Sequence, residues 1–148
     1  MLKAPNSKQT SKFYDLEERT YKFAKNCRNF VKKLPRTISN IEYGKQLIRS
    51  SGSQAANYIE ANEALSKKDF VHRIKICKKE VKESRLWLRL CNISNSNTTR
   101  KEQKKLIEES IELTKIFGAI VEKSKWFVSR ICLEFVFLLF GFCLEFRY

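Results

Sequence analysis

The 148-residue sequence predicts an all-α fold, an antiparallel up-down-up-down four-helix bundle with a hydrophobic C-terminal extension. Three observations point there. Apolar residues recur at alternating steps of three and four along separate stretches of the chain, which is the period of one helix face. Only 4 Gly and 2 Pro are present, too few for the turns of a sandwich, a barrel or a Gly-rich phosphate loop. The links between the stretches are only a few residues long, and short links make neighbouring helices antiparallel. The length suits one domain, and 43% hydrophobic residues is too many for a wholly disordered basic tail.

The first helix is expected from about Asp15 to Leu34, with Leu16, Phe23, Cys27, Phe30 and Leu34 forming one stripe. Asp15 and Glu18 offer a capping box at its start, and Pro35 stops it because the ring clashes with a preceding helical turn. The second is expected from near Ser39 to about Ala61, with Ile41, Ile48, Ala55 and Ile59 as its apolar positions. Its centre, Ser50-Ser51-Gly52-Ser53, is built of small side chains that let another helix come close. The third runs from a Ser66/Asp69 cap to about Cys91 along Phe70, Ile74, Cys77, Val81, Ser84, Leu88 and Cys91, the seam of a helix nearly parallel to its partners. Residues 92–97 read as a loop. The fourth starts at Thr99, which faces Glu102 three residues on, and follows Leu106, Ser110, Leu113, Phe117 and Ile120 to about Lys123.

The chain therefore divides into a polar arm (1–12), the bundle (13–125) and a hydrophobic tail (126–148). The charge divides with it. The formal +14 lies wholly before residue 126, because the tail balances Arg130 and Arg147 against Glu134 and Glu145 while holding 6 of the 11 Phe. Arg130, Glu134 and Glu145 interrupt the tail, and its longest uninterrupted apolar run, Phe135 to Leu144, is half of what a spanning helix needs. The tail is thus read as a helix extension packed on a subunit or partner, or as a strand-like appendage, and not as a membrane span. The polar start sets the cytoplasm as the expected location.

Catalytic material is scarce: there is one His and no phosphate-binding Gly run, so no enzyme, catalytic residue, metal or cofactor is expected. His72 reads as a surface residue. Five Cys without a C-x-x-C pair lack the spacing of a zinc site, and Cys27, Cys77 and Cys91 fall on core phases as buried thiols. Tyr21, Tyr43 and Tyr58 are placed in core or interface ahead of base stacking, and Trp87 in packing.

Binding residues are easier to nominate. Lys75, Lys78, Lys82, Arg85 and Arg89 step 3, 4, 3 and 4 on one face of the third helix, a stripe able to follow a phosphate backbone. The competing reading is a solvated face partly paired with Glu80 and Glu83. Lys25, Arg28 and Lys32 form a second stripe on the first helix, which extends the first only if both lie on one side of the bundle. On the second helix Arg49, Ser51, Gly52, Ala55, Ala56, Asn57 and Glu60 suit a subunit interface, since small residues with embedded polar groups favour close helix contact.

The tract from Asp15 to Leu90 resembles the bacterial family of proteins encoded in 23S ribosomal RNA intervening sequences. The likeness is carried by R-S-S-x-S-x-x-A-N at Arg49 to Asn57, by Glu60, and by K-x-D-F at Lys67 to Phe70, and it covers residues 13 to 123. It implies a non-enzymatic four-helix protomer, a ring-like homopentamer and a basic surface that meets RNA. A related branch, the accessory protein of diversity-generating retroelements, implies a reverse transcriptase as partner. The chain departs from the pattern at Asn57-Tyr58-Ile59-Glu60-Ala61, where many members read N-I-A-E-G, and in its tail. The function expected is an oligomeric, non-enzymatic bundle that binds RNA or another polyanion; the alternative is an interaction scaffold for a reverse transcriptase or another acidic protein.

Overall fold

The computed structural model describes residues 16–93 and 96–144, with side chains through residue 124. Within them the chain forms four helices: α1 (Leu16–Val31), α2 (Ile38–Asn62), α3 (Lys67–Leu90) and α4 (Asn97–Leu144). The first three boundaries have local causes. Pro35 follows α1 at the point where its missing amide and its ring bar another turn. Thr37 caps α2, its hydroxyl accepting from Asn40 N at 3.2 Å, so this helix starts one residue before the expected Ser39. Ser66 caps α3 as expected, accepting from Asp69 N at 3.1 Å. Each such cap satisfies an amide with no intrahelical partner.

The fourth helix departs from expectation at both ends. Ser96, not Thr99, is its start signal: Ser96 O accepts from Arg100 N at 3.1 Å and Ser96 Oγ from Thr99 N at 3.4 Å. Two equally spaced hydroxyl signals lie there, and the earlier one wins because nothing between them breaks the helix. Nor does α4 stop near Lys123. It runs on to Leu144, 48 residues in all, in line with the helix-extension reading of the tail and not the strand-like one, and residues 119–144 contain no Pro and only one Gly to break it. The expected packing of the tail's side chains lies outside the described residues, as do the Asp15 cap and the polar arm.

α1 packs on α2 and α4, and α3 packs on α2 and α4, while among the described residues α1 and α3 do not meet. They are therefore diagonal in a square of antiparallel helices, as the short links require. Phe23, Cys27 and Phe30 of α1, Leu47 of α2, Ile74, Cys77, Val81 and Leu88 of α3, and Leu113 and Phe117 of α4 fill the centre. At Gly44 an added Cβ would stand 2.8 Å from Val31 Cγ1, so only glycine allows α1 and α2 to approach so closely there.

The buried face of α2 is not the expected one. Ile41, Ile48 and Ile59 are 43%, 44% and 49% exposed, and the row turned inward is Gly44, Leu47, Ser50, Ser51, Gln54 and Ala61. That row is polar because its partners are polar. Ser84 of α3 donates to Glu80 O at 2.9 Å, which leaves its oxygen to accept from Ser50 at 2.8 Å. Gln54 donates to Thr20 O of α1 at 2.9 Å, and the Cys77 thiol donates to Gln54 O at 3.4 Å. Buried polar groups are tolerated when partnered in this way.

One end of the bundle is clamped by side chains. Asn40 donates to Pro35 O and Asn92 O, both at 2.9 Å, and accepts from Asn92 N at 2.9 Å. Gln103 donates to Leu88 O at 2.7 Å and Cys91 O at 3.2 Å, satisfying carbonyls at the end of α3 that have no helical partner. The α1–α2 turn, the end of α3 and the start of α4 are thereby held together.

Candidate nucleic-acid interface

The charge of the basic residues is left largely uncompensated. Among the described residues, Lys75, Lys78, Lys82, Arg85 and Arg89 of α3 and Lys25, Arg28 and Lys32 of α1 make no salt bridge. The acids that were candidates to neutralise the α3 stripe are engaged elsewhere: Glu80 pairs with Lys79 at 3.9 Å and Glu83 with Arg49 at 3.7 Å. The other ion pairs include a part-buried two-point contact of Arg19 with Glu109 (2.6 and 2.9 Å) and Lys33 with Glu102 at 2.5 Å. Arg28 touches only Asn29, at 3.4 Å, and Lys25 lies 5.7 Å from the Tyr21 ring centre.

The five cations of α3 span 15 residues, Lys75 to Arg89, or about 21 Å at the helical rise. They occupy the flank of α3 that borders α4: a Cβ added at Gly118 of α4 would meet Lys78 Nζ at 3.3 Å. The three cations of α1 lie opposite that helix's buried row of Thr20, Phe23, Cys27 and Phe30. Because α1 and α3 are diagonal, the structure does not merge the two stripes into one face along the bundle.

The residues nominated for a subunit interface fall into three environments. Ser51 is 1% exposed and belongs to the protomer's own interior. Arg49 pairs with Glu83, and Glu60 pairs with Arg73, which also donates to Asn57 Oδ1 at 3.4 Å, so these three join α2 to α3. Gly52 and Ala56 are exposed and Ala55 half-buried, and a Cβ at Gly52 would meet nothing within 4 Å. Ile41, Ile48 and Ile59, which the sequence marks as apolar positions of the helix, share this outer face and were not among the residues nominated for the interface. Their sevenfold spacing Ile41, Ile48, Ala55 and the interleaved Gly52, Ile59 is a signal that was present in the sequence.

The remaining candidates are structural. Tyr43 stacks on Trp87 at 5.9 Å and Tyr58 contacts Phe117 at 6.0 Å, whereas Tyr21 is exposed. His72 is also exposed. Burial pushes the thiols of Cys27 and Cys77 up to about 12 and that of Cys91 to about 11; at neutral pH all three stay protonated, and a protonated thiol is neither a nucleophile nor a metal ligand. Among the described residues no three His, Cys, Asp or Glu gather to hold a metal ion, and no helix is long and apolar enough to cross a membrane.

The four helices, the basic stripes free of ion pairs among the described residues and the buried, protonated thiols define an all-α bundle of basic surface. Residues 14–119 match the family described as 23S rRNA-intervening sequence protein, and the chain belongs to that family. A crystal structure of a protein of unknown function from the S23 ribosomal protein family of Bacteroides thetaiotaomicron is similar, with a TM-score of 0.62 and 30% identity over 72% of this chain and 97% of that one. No curated protein matches.

Proposed function

We propose that this protein is a non-enzymatic bundle that self-associates and holds RNA through the basic surfaces of α3 and α1. The observation that carries the RNA part is the set of eight cations on these two helices that no carboxylate among the described residues neutralises. An ion pair inside the protein would have to be broken before a phosphate could be bound; these side chains need only release their hydration and the counterions of the nucleic acid. The family's own name ties it to ribosomal RNA, which makes RNA the polyanion to try first.

Self-association is supported by the outer face of α2. Three half-exposed isoleucines interleaved with Gly52 and Ala55 form a narrow apolar seam with a repeat near 3.5 residues, which matches the face of another helix. A ring of five copies is the assembly this reading favours, with Gly52 and Ala56 allowing close approach and Ile41, Ile48 and Ile59 supplying the buried area.

A filter-binding titration with a structured RNA tests the reading. The variant Lys78→Glu, Lys82→Glu, Arg85→Glu is expected to bind at least tenfold more weakly than the unmodified chain at 100 mM KCl, with its helical content unchanged. Equal affinities would remove α3 from the interface and contradict the reading.

A further inference from the structure

The basic residues are unevenly distributed along the bundle axis, which neither stripe reveals alone. The antiparallel order brings the end of α1, the end of α3 and the start of α4 to one end, as the Lys33–Glu102 pair, the Asn40–Asn92 bonds and the Gln103–Leu88 bond show. The three segments that meet there, 32–45, 85–92 and 97–105, hold ten Lys and Arg and two acids, Glu42 and Glu102, which Lys45 and Lys33 already engage. The segments that meet at the opposite end, 16–22, 57–69 and 112–123, hold six basic and seven acidic residues. The Asn62–Glu17 bond and the Tyr58–Phe117 contact place these together. One end is therefore strongly positive and the other close to neutral.

We propose that the positive end of the bundle is a docking surface for the phosphate backbone of an RNA duplex, centred on Arg89, Arg100, Lys101 and Lys104. This rests on the reading that the protein binds RNA. Arg100, Lys101 and Lys104 are exposed and make no salt bridge among the described residues. They stand on the first turns of α4, one to three residues from Gln103, whose bonds to Leu88 and Cys91 tie that turn to Arg89 at the end of α3. Lys32 and Arg36 add charge from the α1–α2 turn. The two diagonal stripes, which share no side of the bundle, thus converge at this end. Beside it a cleft of about 280 Å3 between α1 and α4 is lined by the Lys33–Glu102 pair and by Asn26, Asn29 and Lys105, and the last three carry groups that donate hydrogen bonds to phosphate oxygens.

The form of RNA follows from what the surface lacks. Unpaired bases are held by exposed aromatic rings on which they stack. In the described part of this end the aromatic side chains are Phe30, buried, and Tyr43 and Trp87, which are half-buried against each other. The exposed Tyr21 belongs to the neutral end. A surface of cations without a stacking platform fits a backbone whose bases are already paired.

Two triple variants carrying the same charge change test the proposal by fluorescence anisotropy, with a labelled 20-base-pair RNA duplex and a single strand of the same length as probes. Arg100→Glu, Lys101→Glu, Lys104→Glu reverses the positive end, and negative charge near the start of a helix is favourable, so α4 is retained. Lys68→Glu, Lys115→Glu, Lys123→Glu reverses the other end. The first is expected to weaken duplex binding at least tenfold at 100 mM KCl and to flatten the dependence of log K on log salt by about 2.7, the share of three phosphate contacts on a duplex. The second is expected to change affinity less than threefold. A third variant with Gln at positions 100, 101 and 104 is expected to fall between the unmodified chain and the first. Equal losses in the two triples would overturn the end-on surface while leaving RNA binding standing. Binding of the single strand but not the duplex would overturn the proposed form of RNA. Failure of the unmodified chain to bind either probe would overturn the RNA reading itself.

Discussion

Phe117→Ala is expected to lower the free energy of unfolding by about 3 to 5 kcal/mol, the range for deleting a large aromatic side chain from a close-packed interior. Phe117 is 0% exposed, sits in the α4 row between Leu113 and Val121, and contacts Tyr58 of α2 across the bundle at 6.0 Å. Four converging helices leave little freedom to collapse into the space a phenyl ring vacates, so the cavity persists. A domain of this size has only about 5 to 15 kcal/mol of stability, and the loss is a large share of it. Urea unfolding followed by circular dichroism reads the effect as a lower midpoint with an unchanged slope. Leu65→Ala, at a fully exposed position of the α2–α3 link, should cost under about 1 kcal/mol by the same measurement. A loss below that level for Phe117 would show that α4 does not pack in the centre.

The second large effect concerns assembly. In the variant Ile48→Glu, Ile59→Glu, light scattering is expected to give the mass of one 17.5 kDa chain, where the unmodified protein gives a multiple of it. Both side chains are about half exposed in the protomer, so the substitutions add no buried charge to the fold and the unfolding midpoint should move little. In a helix seam between copies, the same carboxylates would be buried without partners, at a cost of several kcal/mol each. Assembly should therefore fail before folding does. A variant that stays the same size as the unmodified protein, or an unmodified protein that is already a monomer, would rule out this seam.

Legibility in the sequence followed the chemistry of the buried rows. α1 and α3 could be read because Phe23, Cys27 and Phe30, and Ile74, Cys77, Val81 and Leu88, are apolar at the positions that face the centre. The same holds for Leu106, Leu113 and Phe117 of α4. α2 could not, because its inward row includes Ser50 and Gln54, whose burial depends on Ser84, Thr20 and Cys77 from other helices, and Ser51, which bonds back to Ile48 O of its own helix, while its isoleucines face outward. A period count assumes that the apolar row is the buried one, and here that assumption fails. Helix starts were blurred where hydroxyl residues repeat at three-residue spacing, as in Ser96 and Thr99.

The candidate surface was legible only in part. The α3 stripe is a local pattern and was visible, but its freedom from Glu80 and Glu83 depends on Lys79 and Arg49 holding those acids. The positive end is not a local pattern at all. Arg36 is more than fifty residues from Arg89 and Arg100 in sequence, and only the antiparallel order of the helices brings their segments together.

The most direct test of the central claim, that the basic surface of this bundle holds RNA, is the salt dependence of binding of the full chain to an RNA duplex between 50 and 300 mM KCl. With at least four phosphates neutralised, log K is expected to fall against log salt with a slope of about −3 or steeper. A slope near zero, or no binding at 50 mM KCl, would contradict the account.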